Sequence, residues 1–288
     1  MTAPDLISPD LVTSDWLAAH LNDGHVRVLD GSWWMPADKR DARAEWLAAH
    51  IPGARFFDID RIADTSVPLP HMLPSEAVFA DALVTLGIGA DDHVVVYDAA
   101  GIFAAPRVWW TFRAFGFDNV SVLDGGLPKW KRENRPIDSG DSASAAAPTK
   151  RFAPRLDHRW VRSLDEMRAN VDSRRELVLD ARSAGRFAGT EPEPRAGLRS
   201  GHIPGSRSVP FGTLIESGTM KPVDELRRVF ASAGVDATTP AVATCGSGLT
   251  AAIIAFALHR IGHPSVAVYD GSWSEWGARD DVPISTTD

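Results

Sequence analysis

One thiol stands out among the residues able to do chemistry. Cys245 is the single cysteine of the 288 residues, in the run Thr244-Cys245-Gly246-Ser247-Gly248-Leu249-Thr250-Ala251. A lone cysteine is most often a small buried hydrophobe. Here it follows a strand-like run, precedes a helix-like one, and has two glycines between itself and the helix. Such a loop lets successive backbone N–H groups turn inward, and together with a helix N-terminus it stabilises an anion. A thiolate is one such anion and the terminal sulfur of a persulfide is another, so the position suits a nucleophilic sulfur. With no second cysteine, an internal disulfide, a resolving thiol and a multi-cysteine zinc site are all excluded. Any partner thiol comes from another molecule.

The elements that must hold this loop recur along the chain. Val28-Leu29-Asp30 returns as Val178-Leu179-Asp180, His50-Ile51-Pro52-Gly53-Ala54 as His202-Ile203-Pro204-Gly205-Ser206, and Leu123-Asp124-Gly125 as Tyr269-Asp270-Gly271. The offsets are 150, 152 and 146, and Trp130 has its counterpart in Trp276. Ordered matches with drifting offsets are the mark of a duplicated unit. Each copy reads as α/β. Val94–Tyr97 and Val120–Leu123 are strand-like around a helical stretch from Arg107 to Phe115. Ala241–Thr244 and Ser265–Tyr269 flank a helical stretch from Leu249 to Arg260, which Gly262 closes. Strands alternating with helices imply a mainly parallel sheet flanked by helices in each copy. Aligning the strands puts Asp98 opposite Cys245, so the first copy has the cradle position with a carboxylate that cannot carry sulfur. The stretch 138–154, rich in Ser, Ala, Gly and Pro, reads as a linker. The expected division is a first domain over 1–140, a linker over 141–155 and a catalytic domain over 156–288.

Composition narrows the class. Hydrophobic residues make up 44% and charged residues 24%, as in a soluble globular protein. The net charge of −8 argues against a nucleic-acid partner, which would call for a basic face. The first 25 residues carry no basic start and no signal-length apolar stretch, and the longest apolar run, Ala251–Leu258, is too short to span a membrane. The expectation is a cytoplasmic protein with no membrane partner.

These motifs resemble the tandem rhodanese family of sulfurtransferases over roughly residues 7–285. The resemblance is carried by HIPGA at 50–54, GHIPGS at 201–206, LDGGLPKW at 123–130 and CGSGLT at 245–250. It implies two rhodanese-like domains, the second active through a Cys245 persulfide. Thiosulfate-using members typically carry two basic residues directly after the cysteine, where this chain has Gly246 and Ser247. The loop instead resembles that of the 3-mercaptopyruvate sulfurtransferases, with Leu249 where Val is more usual. The segment DARSAGRFAGTEPEPR at 180–195 resembles the one that supplies two arginines for the substrate carboxylate, matching Arg186 and Arg195. Guanidinium forks suit a planar carboxylate. The stretch 56–74 is similar to the one whose Asp and His, from the first domain, meet the loop serine, matching Asp60, His71 and Ser247. That set would relay protons. The loop N–H groups of Gly246, Gly248, Leu249 and Thr250 would hold the anionic sulfur.

The implied reaction moves sulfur from 3-mercaptopyruvate to Cys245 and on to a thiol such as thioredoxin or a small thiol, or to cyanide, with no metal or organic cofactor. Thiosulfate:cyanide transfer by the same cysteine is the main alternative. A cysteine phosphatase would need Arg six positions after the cysteine, where Ala251 stands. A non-enzymatic binding module would have no use for the thiol. His50 and His202 recur in both copies and read as fold residues, as does the pair Trp109-Trp110.

Overall fold

The computed structural model describes residues 9–141, 148, 150–236 and 238–286. The chain forms two compact units. The first takes residues up to 62, 74–156 and 217–219; the second takes 63–73, 157–216 and 220 onward.

In the first unit, β1 (Leu11–Val12), β2 (Val26–Asp30), β3 (Arg55–Phe56), β4 (His93–Tyr97) and β5 (Val120–Leu123) form one sheet in the order β1-β5-β4-β2-β3. Every pairing is parallel. In the second unit, β6 (Val161–Arg162), β7 (Leu177–Asp180), β8 (Arg207–Ser208), β11 (Ala241–Thr244) and β12 (Val266–Tyr269) repeat the pattern in the order β6-β12-β11-β7-β8, again all parallel. Between β8 and β11 in the chain, β9 (Ile215–Glu216) and β10 (Thr219–Met220) make a short two-stranded ribbon.

The central strands explain this architecture. β4 (HVVVY) and β11 (AVAT) are buried along their whole length, so both faces of each sheet must be covered. The helices after them, Ala105–Ala114 and Ala251–Arg260, are almost wholly buried as well. The apolar run Ala251–Leu258 therefore belongs to a core helix. Among the described residues no helix is long and apolar enough to cross a membrane. Both helices end the same way. Gly262 adopts φ +80°, its N–H reaches the carbonyl of His259, and the next N–H, of His263, reaches Leu258. Gly116, at φ +78°, does the same with Arg113, and Phe117 with Phe112. The helical stretch expected from Leu249 starts two residues later, at Ala251, because Leu249 and Thr250 form the turn that enters it.

The duplication extends to single hydrogen bonds. Leu127 N donates to Asp98 O at 3.0 Å as Trp273 N does to Cys245 O at 2.9 Å. The indole of Trp130 donates to Pro136 O, and that of Trp276 to Pro283 O. His50 and His202 are both buried. Their Nδ1 atoms lie 2.8 Å from the carbonyls of Trp46 and Phe187, and both pair through the backbone with a late strand-like residue, Asp138 or Ser285. Trp109 and Trp110 are fully buried. Of the expected linker, residues 142–147 and 149 lie outside the described residues. The described part is tied to the first unit: Ala90 N donates to Lys150 O and Arg155 N to Phe115 O.

Candidate active site

Cys245 leaves the end of β11 and is buried, with 1% of its surface exposed. Its backbone is fixed from the segment that follows β12. The Ser272 hydroxyl accepts from Cys245 N at 3.2 Å and donates to Tyr269 O at 2.8 Å. Trp273 N holds Cys245 O, and both Ser274 N and the Ser274 hydroxyl hold Gly246 O, at 2.8 and 2.7 Å. Gly248 takes φ +77°, a left-handed turn that L side chains resist, and so lets the chain curl back toward the helix.

The first unit shows how a turn at this place in the fold can hold an anion. Asp98 stands at the end of β4 as Cys245 does at the end of β11. Its Oδ2 accepts the N–H groups of Phe103, Ala104 and Ala105 at 2.8, 2.9 and 2.9 Å, and its Oδ1 accepts that of Ala100 at 2.9 Å. Ala104 and Ala105 are the cap and first residue of their helix, as Thr250 and Ala251 are of theirs. The counterparts of the three amides that converge on Oδ2 are therefore Leu249, Thr250 and Ala251. Of these three positions, Leu249 and Thr250 are among those expected to hold the sulfur, and Ala251 is not. Gly246 contributes in another way, through its carbonyl and through the room left by its missing side chain.

That room is taken by the two arginines. A Cβ on Gly246 would lie 3.0 Å from Arg186 Nη2 and 3.8 Å from Arg195 Nη1. Arg186 is set on the short helix Ala184–Ala188, which Ser183 caps through the Arg186 N–H. Arg195 follows the turn after it. The second residue past the cysteine, Ser247, is buried. The structure thus brings Arg186, Arg195 and the cysteine loop together within the second unit.

Behind Arg186 lies a chain of charges that the sequence reading does not single out. Glu193, with 2% of its side chain exposed, takes Arg186 Nη2 at 2.5 Å and Arg182 Nη1 at 2.6 Å. Arg182 also grips Asp180, at the end of β7, through Nε and Nη2, donates to Gly201 O, and lies 4.1 Å over the Trp273 ring. Burial works against the charge on Arg182, and the Asp180 and Glu193 carboxylates outweigh it, holding the guanidinium above the usual arginine range. One signal for this chain is present in the sequence. The duplicated Val-Leu-Asp is followed by Gly31-Ser32 in one copy and Ala181-Arg182 in the other, a charge gained at a matched position.

The remaining expected site residues divide between the units. His71 is buried, at φ +61°, and is part of the segment 63–73 that packs with the second unit, where Leu73 N donates to Asp270 Oδ2 at 2.7 Å. It thus shares a unit with Ser247, although its sequence position assigns it to the first domain. Asp60 is counted with the first unit, is exposed, and accepts the Trp33 indole N–H at 2.9 Å. Among the described residues no group of three or more His, Cys, Asp or Glu side chains is arranged to hold a metal ion.

The model of the rhodanese-like domain matches residues 13–133 and again 163–279. The chain belongs to the rhodanese-like family. Its two rhodanese-like domains correspond to the two duplicated units. Human 3-mercaptopyruvate sulfurtransferase is 46% identical over 286 residues, covering 97% of this chain and 95% of that protein. The chicken thiosulfate sulfurtransferase is 48% identical over 273 residues, covering 92% of each. Among solved structures, the 3-mercaptopyruvate sulfotransferase SseA from Escherichia coli aligns with a TM-score of 0.82 at 38% identity, over 93% of this chain and all of that one. Relatives named for either donor are thus similarly close, and overall identity does not separate the two activities. The residues around the cysteine must.

Proposed function

We propose that this rhodanese-like protein is a 3-mercaptopyruvate sulfurtransferase. The carboxylate of the donor docks on Arg186 and Arg195. The Cys245 thiolate attacks the donor's sulfur, the carbon–sulfur bond breaks, and its electron pair leaves as the enolate of pyruvate. The enolate takes a proton and departs as pyruvate, and Cys245 keeps the sulfur as a persulfide. The N–H groups of Leu249, Thr250 and Ala251 stabilise the anionic sulfur, as their counterparts stabilise the Asp98 carboxylate. Ser247 and His71 handle the proton, and the family resemblance adds Asp60 to them. A thiol such as thioredoxin or a small thiol, or cyanide, then removes the sulfur in the second half of a covalent, ping-pong cycle. The cytoplasm is the proposed compartment.

The observation that carries this reading is the approach of Arg186 Nη2 and Arg195 Nη1 to Gly246. A planar carboxylate is the group that two guanidinium forks beside a nucleophile recognise. Thiosulfate is the second reading, favoured by the chicken relative's name and opposed by Gly246 and Ser247 in place of basic residues. Steady-state transfer from both donors, with cyanide and with a dithiol as acceptors, tests the choice. A kcat/KM ratio of about a hundredfold or more for mercaptopyruvate, or ~2.7 kcal/mol of transition-state preference, is expected. A preference for thiosulfate would overturn the donor assignment and leave Cys245 standing.

A further inference from the structure

We propose that Glu193 sets the donor preference of the site by holding Arg186 in one orientation and balancing its charge, so that the arginine offers directed hydrogen bonds to a single carboxylate without a surplus of positive charge for a doubly charged donor. The inference rests on the reading that Arg186 takes the donor's carboxylate.

The geometry is that of a positioning residue. Glu193 faces the Nε and Nη2 edge of Arg186, at 3.2 Å from Oε2 to Nε and 2.5 Å to Nη2. A guanidinium has five N–H donors in a fixed plane. With that edge occupied, the end formed by Nη1 and the outer Nη2 hydrogen remains for a ligand, and Nη2 is the atom that approaches Gly246. Glu193 is itself pinned from behind by Arg182, which is pinned by Asp180. Two carboxylates alternate with two guanidiniums in this chain. Arg186 therefore enters the site from an electrically balanced network. A buried network of this kind has a definite geometry and little freedom to relax.

The consequence is chemical discrimination. Mercaptopyruvate presents one carboxylate, whose planar pair of oxygens matches the free end of the guanidinium. Thiosulfate carries two negative charges on a tetrahedral frame, and gains from each added positive charge in proportion. Removing the charge of Glu193 at constant shape should therefore raise attraction for thiosulfate and loosen the fork that mercaptopyruvate needs.

The test compares Glu193→Gln with the parent protein on both donors, with cyanide as acceptor and thermal unfolding as the control for folding. The mercaptopyruvate KM should rise while its kcat changes less, the thiosulfate kcat/KM should rise, and the ratio of the two efficiencies should fall by about tenfold or more. Equal losses on both donors, or an unchanged ratio, would overturn the proposal. Glu193→Asp separates charge from reach and serves if the glutamine variant does not fold. It keeps the charge, so thiosulfate efficiency should not rise, while the shorter arm should still raise the mercaptopyruvate KM. A gain on thiosulfate, or an unaltered mercaptopyruvate KM, in the aspartate variant would count against it. The underlying reading fails differently: an Arg186→Gln variant with an unchanged mercaptopyruvate KM would remove the clamp itself, whatever Glu193 does.

Discussion

At the end of β4 the chain turns into a helix around a carboxylate; at the end of β11 it enters a helix one residue sooner, from a thiol. Both turns are held from behind by one backbone bond, from Leu127 to Asp98 and from Trp273 to Cys245. Both lead into a buried helix. The difference is what fills the cradle. In the first unit Asp98 supplies its own anion, permanently attached, and four backbone N–H groups are satisfied by it. Ala105 stands seven positions after Asp98, whereas Ala251 stands six after Cys245. The first cradle is a closed structural device, and the second ends in an atom that can form and break a bond. Under the proposed function, duplication followed by this divergence leaves one copy to stabilise the fold and the other to do chemistry.

The comparison is broken most directly at the thiol. Cys245→Ser should lower sulfur transfer from either donor by about a thousandfold or more, because the hydroxyl is a poor substitute for a thiolate nucleophile. Alkylation of the single cysteine should do the same, and mass spectrometry after donor treatment should find one extra sulfur on the parent protein and none on the variant. A serine variant transferring sulfur at the parent rate would place the chemistry elsewhere and remove the functional meaning of the contrast.

The converse change acts on stability. Asp98→Ala leaves several amides at a buried helix start without their acceptor, which should cost about 2–4 kcal/mol of unfolding free energy. Denaturant titration reads the loss. The rate of sulfur transfer per folded molecule should stay within about twofold of the parent, since the first cradle carries no reacting atom. Retained stability would mean that the Asp98 contacts do not hold the turn.

Much of this contrast is legible in the sequence. The repeated Val-Leu-Asp, His-Ile-Pro-Gly and Asp-Gly motifs fix two α/β copies, and the strand alignment puts Asp98 against Cys245, because buried parallel strands are short β-branched or small-residue runs that sequence patterns reveal. Arg186 and Arg195 are legible through resemblance, as they lie in a segment whose local spacing says little. Three things are not legible. Glu193 is acidic and flanked by prolines, as many solvated loops are, and only the folded turn carries it between two arginines. The membership of His71 depends on long-range packing of the segment 63–73, including Leu73 N on Asp270, which are 197 positions apart. The match of the Ala251 amide to that of Ala105 has no side-chain signal at all, since a backbone N–H is common to nearly every residue type.

A smaller effect sharpens the comparison at a second matched pair, the aspartates that end β2 and β7. Asp180 is gripped by Arg182. Its counterpart Asp30, 1% exposed, has Ser32 at the corresponding position, and the Ser32 N–H donates to it at 2.9 Å. Burial, outweighing the hydrogen bonds from Ser32 and Tyr97, pushes the Asp30 carboxyl up to about 6 from an ordinary value of 3.8. A carboxyl raised in the folded state binds its proton more tightly there than in the unfolded chain. Its contribution to stability is then fully present below about 3.8 and is lost as pH rises through about 6. The span corresponds to about 2–3 kcal/mol. His93, lowered to about 4 by burial and by the nearby His20, works the other way, holding stability above its ordinary 6.5 and losing it as pH falls toward 4. The two partly offset each other in the parent protein, so the Asp30 effect is best read by difference. The unfolding free energy of Asp30→Asn minus that of the parent should rise by about 2–3 kcal/mol between pH 4 and pH 7. A difference that stays flat over that window would mean that the Ser32 and Tyr97 hydrogen bonds offset the burial of Asp30 in full.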